Sequence, residues 1–343
     1  MAPPAPLRLR IDTQALTDNW RWLARKSGAA ACGAAIKADG YGLGARQVMA
    51  KLAEAGCRHF FVATWNEALA LAPIPDGLTV SVLHGLMPDQ MAFARSVAGA
   101  RPVLCSAAQV ALWRDAGGGA CDVMVDTGMN RLGIDYREIA QLSWDDLHIA
   151  TLLSHLACAD EDHPLNEAQR VRFDAARAAI PADRYSLANS AGILLGEGYH
   201  HDLTRPGIAL YGGLPAEGLR QVVVPQVRVL QRRRARAGDT VGYSATFQAP
   251  HDTELATLNV GYADGYLRGF SGRGVAIADG VELPVVGRVS MDLLIVDVSA
   301  APDLREGDWV DIDYDLARAA QQSGLSPYEL LTGLGRRYDR IWV

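Results

Sequence analysis

Cys32-Gly-Ala-Ala-Ile36, His59-Phe-Phe-Val-Ala63 and Thr79-Val-Ser-Val-Leu83 open a series of short apolar runs that decides the fold. The series continues at 102–105, 122–125, 149–153, 185–188 and 208–210. Unbroken apolar runs, in place of polar alternation, mean strands covered on both faces, as in a parallel sheet. The stretches between them, roughly 20–35 residues each, read mostly as helix plus loop, with 45–55, 66–71 and 166–179 the clearest helices. Eight strand–helix units over about 200 residues fit a closed (β/α)8 TIM barrel better than an open sheet.

Beyond about residue 220 the texture changes. Alternating segments at 222–230, 255–260, 274–278, 293–298 and 309–312 are bounded by turn signals such as Ala237-Gly-Asp239 and Glu306-Gly-Asp308. Helical spacing returns only at 315–322. This predicts a second, all-β domain. Leu7-Arg-Leu-Arg-Ile11 alternates as well. The expected division is therefore a strand in 1–10 that joins the β domain, a barrel at 11–220 and a C-terminal β domain at 221–343. A length of 343 residues suits two domains.

Composition removes several classes of function. With 39 acidic against 33 basic residues the net charge is -6, which argues against a nucleic-acid partner. The cluster of Arg232, Arg233, Arg234 and Arg236 reads as a solvated strand or turn. No stretch approaches the ~20 apolar residues of a membrane helix, and the N-terminus lacks a signal-peptide core. Five cysteines, an odd number without CxxC or Cys/His metal spacing, fit a reduced cytoplasmic chain with no metal site.

In a barrel of this kind, catalytic groups sit where strands end. Those positions carry Lys37, His84, the loop Asp126–Arg131, His155 and Asn189-Ser190, with Arg205 opening the eighth strand. Lys37 stands out: it ends an apolar strand and precedes Ala38-Asp-Gly-Tyr-Gly-Leu-Gly44. A desolvated lysine has a depressed pKa and can condense with a carbonyl, while three glycines let backbone approach a bound group closely. A surface lysine opening a solvated loop is an equal reading of position alone. Asn189-Ser190 and Arg205-Pro-Gly207 supply donors suited to a phosphate, although an N-cap serine explains Ser190 as well. His155 reads as a core histidine or a ligand, and Tyr243 as a packed aromatic. Spacing by itself shows a basic, phosphate-friendly rim.

The ordered set Ala35-Ile-Lys-Ala-Asp-Gly-Tyr-Gly42, Val125-Asp-Thr-Gly-Met-Asn-Arg-Leu-Gly133, His155-Leu-Ala-Cys-Ala-Asp160, Asn189-Ser190, Arg205-Pro-Gly-Ile-Ala-Leu-Tyr-Gly212, Val260-Gly-Tyr-Ala-Asp-Gly265 and Gly287-Arg-Val-Ser-Met-Asp292 resembles the alanine racemases. That resemblance implies a pyridoxal phosphate enzyme, with a barrel followed by a β domain, that interconverts L- and D-alanine and supplies D-alanine for peptidoglycan. It implies that Lys37 holds the cofactor and moves the α-proton on the D-alanine side, and that Tyr243 of a partner subunit does so on the L-alanine face of a shared homodimeric site. It further implies substrate contacts from Arg131 and the Met291 N–H. Phosphate contacts would come from Tyr41, Ser190, Gly207 and Ile208. Arg205 would face the pyridine nitrogen, with His155 backing the ring and hydrogen-bonded to Arg205. Asp160, Tyr262 and Arg288 would line the entrance.

Two positions depart from the family pattern. Met124 stands where members often carry a lysine, sometimes carbamylated, which leaves Arg131 to be oriented by a bound anion or by nothing. Where some members place a tyrosine on the cofactor phosphate near the C-terminus, this chain has Arg336, with Tyr338 nearby, and the resemblance assigns that contact to neither. A racemase for another small amino acid such as serine and a non-catalytic pyridoxal phosphate-binding protein are the alternatives. The full β domain with Tyr243 and Met291 counts against the latter, and Arg205 against a barrel-type decarboxylase.

Overall fold

Runs rich in alanine, valine and phenylalanine with no polar face must be covered on both sides, and in the computed structural model, which describes residues 5–343, they form one parallel set. Ala34–Ala35 pairs with His59–Val62, and the order then runs through Thr79–Val82, Ala100–Leu104, Cys121–Asp126, Ile149–Leu153 and Tyr185–Ser186. Leu203–Thr204 pairs in parallel with Ala31–Cys32, and the Asp202 N–H donates to the Tyr185 carbonyl on its other side (3.0 Å). The ring closes there.

The eighth strand is thus Leu203–Thr204, not 208–210, and Ile208–Tyr211 is a 3-10 helix. A three-residue apolar run looks alike as strand or as buried helical turn. Arg205 consequently follows the last strand instead of opening it, and stands at the same end of the barrel as the other strand-end residues Lys37, His155 and Ser190. The helices Ala45–Ala55, Trp65–Leu71 and Pro164–Ala179 match the periodic segments to within two residues. Between the fifth and sixth strands the described residues hold no α-helix, but the short strand Ile134–Asp135, paired with the end of the fifth, and the 3-10 turn Ile139–Gln141.

Inside the barrel the side chains form layers. Ser81 donates to Asp122 (2.5 Å) across the intervening strand, and Arg101 lies 2.9 Å from the same carboxylate. One step further along, Val103, Cys105, Met124 and Leu153 form an apolar cluster with Leu83 packed against it.

This barrel unit comprises residues 16–210 and 216–219; the other unit comprises residues through Ala15, 211–215 and 220–343. Residues 1–4 of the expected N-terminal strand lie outside the described residues. Leu7–Ile11 pairs antiparallel with the long strand Val223–Ala235 and parallel with Tyr338–Trp342. Trp309–Ile312 and Thr253–Leu258 pair with different parts of the long strand, followed by Val275–Ala278 and Leu294–Asp297. Alternating burial along Leu7–Ile11 and Val223–Ala235 is the expected signature of a sheet with one covered face.

Candidate active site

Lys37 follows the first barrel strand and opens an unusual turn. Ala38, Asp39, Gly40 and Tyr41 have φ of 53°, 53°, 64° and 55°, a single left-handed turn that costs each non-glycine residue roughly 1–2 kcal/mol. Neighbouring groups hold it in place. The Gly40 N–H donates to Ile36 O (2.8 Å), the Ala38 N–H to Glu67 Oε1 (2.8 Å), and Asp39 Oδ1 accepts from the Ala45 N–H (2.9 Å). The turn keeps Lys37 at the strand end while Tyr41 is buried. Burial, helped by the Arg131 cation and opposed by Glu67, lowers the Lys37 pKa below that of an ordinary lysine.

The Tyr41 hydroxyl meets the chain just after the last strand. A Cβ added to Gly207 would lie 2.3 Å from Tyr41 Oη, so only glycine allows this approach. Ser190 Oγ accepts from the Gly207 N–H (2.8 Å) and the Ala209 N–H (3.3 Å), immediately beside Ile208. Asn189, not Ser190, caps the following turn by accepting from the Gly192 N–H (2.9 Å). Ser190 is therefore free of the capping role. Two hydroxyls converging on a backbone that tolerates no side chain fit a phosphate group.

Arg205 is buried. Its Nη atoms donate to Ser186 Oγ and to the Ser154 carbonyl, not to His155 as expected, and among the described residues its Nε has no acceptor. Burial brings this guanidinium down to about 10 against the pull of Asp122, so it stays cationic at neutral pH. Burial and then the Arg205, Arg131 and Lys37 charges push His155 down to about 3. It is a neutral imidazole beside three cations.

Arg131 is exposed on the loop after the fifth strand. Asp126 shapes that loop by accepting from the N–H groups of Gly128, Met129 and Arg131 (2.8, 2.9 and 3.1 Å). Met124 is buried in the apolar cluster described above. Asp160 is exposed ahead of helix Pro164–Ala179.

A buried residue that spacing did not suggest ties these loops together. Gln169, wholly buried on helix Pro164–Ala179, accepts from the Ala157 N–H (2.9 Å) and donates to Thr127 Oγ1 (3.1 Å) and the His155 carbonyl (2.9 Å). It staples the Arg131 loop to the His155 loop. A lone glutamine on an amphipathic helix gives no such signal, because its partners lie in distant segments.

The β unit gathers the other candidates. Tyr243 sits at the tip of the hairpin Thr240–Val241/Phe247–Gln248 and is 67% exposed. Arg288 donates to Ser244 Oγ (3.2 Å). Met291, 53% exposed, lies against Tyr262 and Ala263, whose N–H groups donate to Ser290 O and Met291 O (3.1 and 3.0 Å). Of the C-terminal pair, Arg336 is exposed while Tyr338 is buried in its own sheet.

Comparison with known proteins identifies the family. Residues 11–215 match the family model "Alanine racemase, N-terminal domain" and residues 222–342 match "Alanine racemase, C-terminal domain". A catabolic alanine racemase of Agrobacterium fabrum is 45% identical over 98% of this chain and 92% of that protein, and an alanine racemase of Methylobacterium nodulans is 43% identical over 98% and 96%. The crystal structure of alanine racemase from Bartonella henselae with covalently bound pyridoxal phosphate superposes with a TM-score of 0.91 at 37% identity, covering 99% of this chain and all (100%) of that one. With both domain models matched in order along nearly its whole length, the chain belongs to the alanine racemase family.

Proposed function

We propose that this chain is a pyridoxal phosphate-dependent racemase that interconverts L-alanine and D-alanine in a site completed by a second copy of itself. The observation that carries the reading is a lysine of lowered pKa in the same barrel unit as a two-hydroxyl phosphate cradle. Bound pyridoxal phosphate supplies an electron sink that makes the α-proton of an amino acid labile.

The chain's own residues do the rest. Tyr41, Ser190, Gly207 and Ile208 would hold the phosphate, and Lys37 would hold the cofactor by its amine. Arg205 can only donate, so toward the pyridine nitrogen it would keep that nitrogen unprotonated. The sink is thereby weakened, which favours prompt return of the proton to the α-carbon. Neutral His155 would back the ring without adding charge. The Arg131 guanidinium and the Met291 N–H would hold the substrate carboxylate, and Asp160, Tyr262 and Arg288 would border the entrance. With Met124 among apolar neighbours, no fixed carbamate orients Arg131.

Racemisation needs a proton carrier on each face of the α-carbon. The Lys37 amine takes the D-alanine side and the Tyr243 phenol the L-alanine side. Tyr243 and Met291, large side chains exposed on the β unit, support a homodimer in which each presents to the partner's barrel. The chain's five free cysteines support a reducing compartment, the cytoplasm, and peptidoglycan is the use we propose for the D-alanine. No helix among the described residues is long and apolar enough to cross a membrane.

The test is direct. The purified protein is yellow, borohydride fixes the cofactor to the peptide containing Lys37, and L-alanine gives D-alanine faster than L-serine gives D-serine. Label on another lysine overturns the cofactor assignment, and a preference for serine overturns the substrate assignment.

A further inference from the structure

Three segments of the β unit meet around one fully buried carboxylate, Asp264. Arg337 grips it with two parallel bonds, Nε to Oδ1 (2.6 Å) and Nη2 to Oδ2 (2.8 Å). Its remaining nitrogen, Nη1, donates to Asp292 Oδ1 (2.8 Å). Asp264 Oδ2 also accepts from the Gly261 N–H (3.1 Å). At Gly261 a Cβ would lie 2.3 Å from Ser290 O and 2.4 Å from Met291 O, so the segment 261–265 lies directly on the backbone at 290–291.

That contact fixes a peptide plane. Ser290 O accepts from the Tyr262 N–H (3.1 Å) and Met291 O from the Ala263 N–H (3.0 Å). A trans peptide is planar, with its N–H opposite its C=O. Because Ser290 O points at Tyr262, the Met291 N–H must point away from segment 261–265. Among the described residues nothing accepts from it.

We propose that Arg337 is a positioning residue which, by bridging buried Asp264 to Asp292, holds the Met291 N–H in the orientation that receives the substrate carboxylate. This rests on the reading that Met291 and Arg131 bind that carboxylate. A two-bond guanidinium–carboxylate fork sets geometry as well as charge, which a lysine ammonium does not reproduce. Without the fork, Asp264 is a buried carboxylate short of donors, and the 261–265 segment must shift to rehydrate it.

The holoenzyme is tested as Arg337→Lys, Arg337→Ala, and Arg337→Ala combined with Asp264→Asn, which removes the unpaired buried charge and guards against misfolding. Arg131→Ala is the reference. Two quantities are read: KM against kcat for alanine, and the Kd of propionate, a carboxylate without the amine, from broadening of its methyl NMR signal. All three Arg337 variants are expected to raise KM and propionate Kd by about tenfold, the size of a lost charge-assisted hydrogen bond. Their kcat changes less, and the visible absorbance of the lysine-bound cofactor stays as in the wild type. If Arg131→Ala raises both constants while the Arg337 variants leave them unchanged, the clamp is overturned and carboxylate binding stands. If Arg131→Ala leaves propionate binding unchanged too, both are overturned.

Discussion

At the scale of single residues, the barrel manages charge by keeping two of its histidines, His59 and His155, neutral. His59 Nε2 accepts from Arg184 Nη1 (2.6 Å), so its other nitrogen carries the hydrogen facing Thr79 Oγ1 (3.0 Å). Burial and then the Arg184 and Arg101 charges push His59 down to about 4, as burial and the site cations push His155 down to about 3. Both lie below the ~6.5 of an unfolded chain. The unfolded state therefore takes up protons that the folded state refuses as pH falls. Stability from this source is complete above pH ~6.5 and is lost as the pH drops towards the folded values of about 4 and about 3. The melting temperature followed from pH 8 to pH 4 should fall most steeply below ~6.5. His59→Gln, which keeps an acceptor for Arg184 but cannot titrate, should flatten that fall. An unchanged slope in the variant contradicts the assignment. None of this was legible beforehand, since His59 looked like one more position in an apolar strand.

At the scale of elements, chemistry sits on loops whose shape is imposed from outside. The glycines of Asp39-Gly-Tyr-Gly-Leu-Gly44 announced a close approach. They did not announce left-handed φ at Ala38, Asp39 and Tyr41, because local preference disfavours it. Glu67 and the start of helix Ala45–Ala55 supply the compensation. The eighth strand lies ahead of the apolar run that predicts it for a related reason: Leu203–Thr204 is two residues long, and the apolar run after Pro206-Gly207 is the stronger pattern. Gln169 belongs here too. Replacing it with Leu leaves the Ala157 N–H, Thr127 Oγ1 and the His155 carbonyl without this partner, at about 1–3 kcal/mol for each group stranded in the interior. Urea denaturation of Gln169→Leu should show that loss. Its kcat/KM should fall further than that of a surface variant of equal stability, because the Arg131 and His155 loops come apart. Wild-type stability in this variant contradicts the staple.

At the scale of the whole molecule, the strand rhythm and the change of texture near residue 220 made two architectures legible, and the motifs made the chemistry legible. The chain path is subtler than a single cut, since residues through Ala15 and 211–215 group with the C-terminal unit. Leu7–Ile11 gains its place from pairing with Val223–Val227 and Tyr338–Trp342, partners more than two hundred residues away. Its alternation announces a strand that joins the β domain, while which strands flank it is not legible, because no local pattern names partners so distant. Lys37 belongs to one unit and Tyr243 to the other, and the proposed reaction requires them on opposite faces of one substrate.

The central claim is that each site takes Lys37 from one chain and Tyr243 from its mate, as two-fold symmetry would make equivalent in both sites. Lys37→Ala and Tyr243→Phe homodimers should each be nearly inactive. Mixed and re-associated at random, half the dimers carry one chain of each kind, with one intact site and one doubly damaged site, so about a quarter of wild-type activity returns. If both residues served the same chain's site, every site would keep a lesion. No recovery, with subunit exchange verified by mass spectrometry of differently tagged chains, contradicts the shared site.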